Sequence, residues 1–160
     1  MALEVAFVGV SSAHPGDGEE STCFLVNDNI LVDVGFNAGI SVQALGVSPL
    51  DIDHVFITHC HHDHVIGLPG VLFLSSTRAD ARADVGPLQL YGPQDLAVVT
   101  QAALAMLQAD RFPQVVPDHE VHLLYPEQSL EIGELRVDVG RAFHPLDARS
   151  YRFTDTVSKG

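Results

Sequence analysis

Positive charge is scarce in this sequence: its 160 residues hold 8 Lys and Arg against 21 Asp and Glu, a formal net charge of −13 with His neutral. Such a chain repels a polyanion except where bound metal ions or local Lys or Arg reverse the sign, and no run of Lys or Arg supplies a basic arm. Cysteine is scarcer still. Cys23 and Cys60 alone cannot build a disulfide framework. Met1 to Val10 carries Glu4 and lacks the basic start of a secretion signal, so a cytoplasmic protein is expected. Long apolar runs are missing too. The longest, 65–74, is broken by Gly67, Pro69 and Gly70 and falls short of the roughly 18 residues that a membrane-spanning helix needs, so no membrane partner is expected. What is abundant is apolar surface: 46% hydrophobic against 18% charged residues excludes a disordered tail, because burial can offset the ordering entropy. One globular domain over residues 1–160 is expected, with no separate second domain and no internal repeat.

Along the chain, 3–10 reads as a buried strand and 11–21 as a loop rich in turn formers. Segments 22–26 and 30–34 flank Asn27-Asp28-Asn29 as a hairpin. A short helix over 38–45 ends at Gly46, a strand runs 54–58, and a helix over 65–76 is broken by its glycines and proline. A strand at 88–91 leads to a helix over 94–108 whose Leu96, Val99, Ala103, Met106 and Leu107 form one apolar stripe. The last third, 121–124, 129–132, 135–143 and 150–154, has strand composition. Strands with helices between them, then strands again, predict an α/β layer structure with a mixed sheet.

Thr58-His59-Cys60-His61-His62-Asp63-His64 sets four histidines and an aspartate within six positions directly after an apolar strand. A strand that ends there aims His59 and His61 to one side at alternating spacing, while Asp63 and His64 swing to the other as the next helix starts. Two adjacent metal sites follow. Imidazoles with one carboxylate suit Zn²⁺ best, with Fe or Mn as alternatives, and an open coordination position leaves bound water ionisable near neutral pH. The bland alternative is a solvated His-rich loop that chelates metal as a tag does. Cys60, alternating with the two ligands, is expected to point inward as a small hydrophobe, and His62 to point away.

His59-x-His61-x-Asp63-His64, preceded by Val55-Phe56-Ile57-Thr58, resembles the His-x-His-x-Asp-His signature of the metallo-β-lactamase-fold hydrolases. Gly9, Leu31-Val32-Asp33-Val34-Gly35, Gly67-Leu68-Pro69, Tyr91-Gly92-Pro93 and His144 followed by Ser150-Tyr151-Arg152-Phe153 look like the ribonuclease Z and phosphodiesterase branch. The resemblance covers nearly the whole chain. It implies an αββα sandwich of which this chain is about the first half. It also implies two divalent ions, the first on His59, His61 and His144 and the second beginning at Asp63 and His64. Asp63 would further orient the attacking water. Asp33 resembles the buried aspartate that supports the metal loop, and His14 falls in a loop that often lines the substrate cleft. Each has an ordinary alternative: His144 a surface residue before Pro145, Asp33 a turn residue before Gly35, His14 a solvated loop histidine.

The family's bridging aspartate and last histidine have no counterpart after Asp155. The expectation is therefore a complementary C-terminal half chain, or a second copy of this one, covering an apolar face that the half-fold would otherwise expose. The implied activity is metal-dependent hydrolysis of a small phosphodiester or an RNA 3′ end. Lactone or thioester hydrolysis on the same site, and a non-catalytic metal-binding half-domain, are the alternatives.

Overall fold

The computed structural model describes residues 3–83 and 85–157. Ser158 to Gly160 lie outside the described residues. Among the described residues, nine strands form two sheets. The larger has the order β1 (Val5–Gly9), β2 (Cys23–Val26), β3 (Ile30–Val32), β4 (His54–Phe56), β5 (Leu88–Gly92), β6 (His119–Leu123). Its first three strands pair antiparallel and β3 to β6 pair parallel. The smaller is an antiparallel meander of β7 (Ser129–Ile132), β8 (Leu135–Arg141) and β9 (Arg149–Asp155). The helices are α1 (Ala38–Ser41), α2 (His62–Val65), α3 (Leu68–Leu74), α4 (Arg78–Ala81) and α5 (Leu96–Met106). None is long and apolar enough to cross a membrane.

Strand alternation builds two cores. Leu25, Leu31, Val55, Leu88 and Leu90 face α1, α3 and α5, burying Ala38, Leu68, Val71, Leu72, Leu96 and Ala103. Val26, Ile30, Val32, Phe56 and Tyr91 face the small sheet and meet Leu135, Val137 and Val139. Phe56 centres that second core, stacked on Tyr91 (4.4 Å) with edge contacts to Tyr151 (5.0 Å) and Phe153 (5.5 Å). Aromatic contacts of this kind add about 0.5–1.5 kcal/mol each beyond their burial. The described residues thus form three layers, helices, large sheet and small sheet, and no described helix covers the outer face of the small sheet. That face is polar: Asp138 accepts hydrogen bonds there from Ser129, Arg136 and Arg152. On the inter-sheet side, apolar side chains are exposed at the β1 edge, where Val5 is 52% and Phe7 66% exposed.

Departures from the expected element bounds have local causes. β3 stops at Val32 because Asp33 takes a left-handed φ of 58°. The helix expected over 65–76 is two helices that break at Gly67, whose amide donates to Val34 O (3.0 Å). A Cβ at Gly67 would lie 2.0 Å from Gly35 O, so only glycine fits this approach. On α5, Met106 is 74% exposed rather than buried. Ten residues after Leu96, at 100° each, it has turned off the stripe that Leu107 rejoins.

Candidate metal centre

The parallel strand β4 ends under the loop that carries the histidines, and each turn of that loop is tied down. Ile57 N–H donates to Tyr91 O (2.7 Å), and Thr58 N–H donates to the Asp33 carboxylate (2.7 Å). His61 keeps an extended backbone and starts α2, which places Asp63 and His64 in that helix's only turn. Val34 N–H donates to His64 O (2.8 Å), pinning α2 to the segment after β3. The small sheet closes the loop from the other side. Tyr151 Oη donates to Ile57 O (2.7 Å), and Arg149 N–H donates to Thr58 O (2.8 Å).

Asp33 is 1% exposed and organises the rings. Its Oδ2 accepts from Thr58 Oγ1 (2.8 Å) and lies 2.7 Å from His64 Nδ1. A carboxylate only accepts, so the Thr58 hydroxyl hydrogen points to Asp33 and the Thr58 oxygen is left to accept Nδ1–H of His59 (3.0 Å). Both histidines therefore carry a proton on Nδ1, so that in the neutral ring Nε2 is the bare nitrogen. The electrostatics differ between the two. Burial, reinforced by the charges of His64 and His144, pulls His59 down to about 4. Burial also works against the charged form of His64, but the hydrogen bond and charge of Asp33, with the charge of Asp63, outweigh it and raise that pKa.

His59, His61 and His144 converge. Their ligand atoms all lie within 4.8 Å of one another, with His59 Nε2 and His61 Nδ1 3.2 Å apart. That matches the edge, about 3.3 Å, of a tetrahedron with metal–nitrogen bonds of about 2.0 Å. Three imidazoles with an open side fit a borderline ion such as Zn²⁺. His144 enters on the loop after β8, its ring centroid 4.2 Å from that of His59. Its Nδ1 accepts from Leu146 N–H (3.1 Å). Coordination through Nε2 needs a proton on Nδ1, so loading the site requires this amide to turn away. Beside the trio, His64 Nε2 and the largely buried Asp63 Oδ2 lie 3.6 Å apart.

The other expected residues fall outside this group. His14 is exposed in the 11–21 loop, where its amide meets Ser12 Oγ (3.4 Å), and its ring is not among the grouped ligand atoms. His62 is exposed. Cys60 is half-buried against the helix-side core, and burial, with the charges of Asp95, Asp33 and Asp147, pushes its thiol up to about 12, so it stays protonated. Three residues that the sequence reading gave no role matter here: Thr58, Arg149 and Tyr151. Their signal was position alone, one directly before the histidine run and two just after His144.

The chain belongs to the metallo-beta-lactamase superfamily, whose family model matches residues 16–151. Among sequence relatives it is 28% identical to ribonuclease Z of Nanoarchaeum equitans over 161 residues, covering 94% of this chain and 46% of that protein. It is also 28% identical to ribonuclease BN of Cronobacter sakazakii, covering 99% and 51%. Among solved structures it overlays the short form of human tRNase Z with a TM-score of 0.76 at 22% identity, covering 94% of this chain and 63% of that one. It overlays the Bacillus subtilis metallo-beta-lactamase fold protein YhfI with a TM-score of 0.74 at 21% identity, covering 97% and 60%. The chain spans about half the length of the curated relatives it matches. The family implies divalent metal ions, and the imidazole donor set found here suits them.

Proposed function

We propose that this chain is the metal-loop half of a cytoplasmic, zinc-dependent hydrolase of phosphodiester bonds, acting on an RNA 3′ end or a small phosphodiester, with its binuclear site completed by a complementary C-terminal half. The convergence of His59, His61 and His144 on one point, beside Asp63 and His64, carries the reading. The ribonuclease names of the relatives support phosphodiesters over lactones or thioesters.

Divalent ions in such a site supply Lewis acidity and water ionisable near neutral pH. The chain's own residues supply the rest. Asp33 holds His59 and His64 in the tautomer that leaves each Nε2 free. Asp63, next to His64, accepts a hydrogen bond from the attacking water and orients it toward phosphorus. Burial of the loop under Tyr151 and Arg149 keeps these groups fixed as the substrate arrives.

Native mass spectrometry of the purified protein, followed by turnover of bis-p-nitrophenyl phosphate with added Zn²⁺ or Mn²⁺, tests the reading. Two metals where the complementary half is present, and turnover abolished by His61→Ala, are expected. Unchanged turnover in His61→Ala, or preference for a thioester in parallel assays, overturns it.

A further inference from the structure

A cavity of about 480 Å³ opens beside His144 and is lined by Gln94, Tyr125, Arg141, Asp147 and Arg149. Its size falls in the range, about 300–1,000 Å³, of small-ligand pockets. It draws on three loops, the one between β5 and α5, the one between β6 and β7, and the 142–148 loop that carries His144, together with the ends of β8 and β9 at Arg141 and Arg149. It thus shares a wall with the metal-binding cluster without being part of it.

Its walls are prearranged. Arg149 is 5% exposed, and its guanidinium is spent on structure: Nε donates to Leu124 O (2.8 Å), Nη1 to Ala148 O (3.0 Å), and Nη2 to the Asp147 carboxylate (2.9 Å). Asp147 also takes the Gln94 amide, and Gln94 Nε2 donates to Tyr125 Oη (3.2 Å). These bonds fix the Tyr125 ring, which is 45% exposed. Arg141 is different. It is exposed at the end of β8, and its charge also acts on the Asp147 carboxylate, whose close ion pair among the described residues is with Arg149. Two guanidiniums against one carboxylate make this wall locally positive on a chain of net charge −13. An aromatic ring and an exposed guanidinium lining one cavity have the donor set for a base and a phosphate on one ligand.

We propose that this cavity binds a nucleoside phosphate unit of the substrate, with the base against Tyr125 and the phosphate on Arg141, next to the bond that the His144 cluster would face. The inference rests on the phosphodiester reading and narrows it to nucleotide substrates. Arg149 acts as a positioning residue, holding the cavity wall through Leu124 and Asp147.

The test is binding, not turnover. Adenosine 5′-monophosphate, adenosine and inorganic phosphate are titrated into the full chain in EDTA, with amide NMR shifts as the readout. Adenosine monophosphate is expected to bind about tenfold more tightly than either fragment and to shift Tyr125, Arg141 and Ala142. Arg141→Ala and Tyr125→Leu, both at exposed positions, are each expected to weaken it about tenfold, with circular dichroism unchanged. Adenosine monophosphate binding no tighter than phosphate, shifts confined to other residues, or variants that bind as the parent does would each overturn the proposal. Binding at Tyr125 and Arg141 without turnover of any phosphodiester leaves the subsite standing and removes the hydrolase reading; turnover without such binding does the reverse.

Discussion

Asp33 Oδ2 sits 2.7 Å from His64 Nδ1 while the same carboxylate holds the amide and hydroxyl of Thr58, so one buried residue sets the orientation of both ends of the histidine loop. Asp33→Asn keeps a residue that tolerates the left-handed backbone but puts an amide NH₂ where an acceptor is needed. Zinc affinity, read by competition with a chromogenic chelator, is expected to fall by about 10- to 100-fold. Asp33→Ala additionally strands the half-buried Thr58 amide and is expected to cost about 1–3 kcal/mol in urea unfolding. Affinity within twofold of the parent in both variants would show that the loop holds its geometry unaided.

Gly67 predicts a steric failure. A Cβ there meets Gly35 O at 2.0 Å, backbone against backbone, so neither side can relax by rotating a side chain. Gly67→Ala is expected to cost about 1–3 kcal/mol or more. It is also expected to displace α2, weakening metal uptake along with stability. Gly70→Ala, where a Cβ meets nothing within 4 Å, is the control and is expected to leave the urea midpoint unchanged or raised.

At the opposite end of β4, Asp53 bridges Arg78, which is 2% exposed, and Arg82. Burial alone would push the Asp53 carboxyl up, but the hydrogen bond and charge of Arg82, with the charge of Arg78, bring it below its ordinary value. Its stabilisation is therefore present above pH 4 and lost as pH falls further. Asp53→Asn leaves the Arg78 guanidinium buried without its counter-charge, at an expected cost of about 2–4 kcal/mol in chemical denaturation at pH 7. A loss below 0.5 kcal/mol would mean that the arginines find other partners.

His54 gives a second pH window. It is stacked on Tyr91, and burial, with the charges of Arg78 and His122, lowers its pKa despite Asp53. A histidine with a depressed folded pKa contributes its full stability above about pH 6.5 and loses it as pH falls. In the metal-free chain the urea midpoint is expected to drop from pH 7.5 to 5. His59, lowered likewise, adds to that drop, while the raised pKa of His64 opposes it. His54→Gln is expected to flatten part of the slope; an unchanged slope assigns it wholly to other groups.

The site was legible in the sequence where it is local. His59, His61, Asp63 and His64 share one short segment, so strand alternation followed by a helix start already separates them into two groups. His144 was not legible from spacing, because it arrives on a loop of the other sheet, and only the family resemblance pointed to it. Asp33 stayed ambiguous between turn and support for a physical reason. Its backbone is indeed that of a turn residue, and the carboxylate's role appears only once parallel pairing of β3 with β4 brings Thr58 over it. The clamps from Tyr151 and Arg149 join residues more than ninety positions apart, and no periodicity encodes them.

Because the trio of imidazoles is drawn from both sheets, an ion held there would act as a rivet through the sandwich. Its binding free energy would resist the peeling of β7–β9 from the large sheet, so free metal concentration becomes a folding variable with a logarithmic grip on the melting temperature. Starved of metal, the chain would lose first the seam around Phe56 and Tyr151, and with it the surface on which His144 arrives.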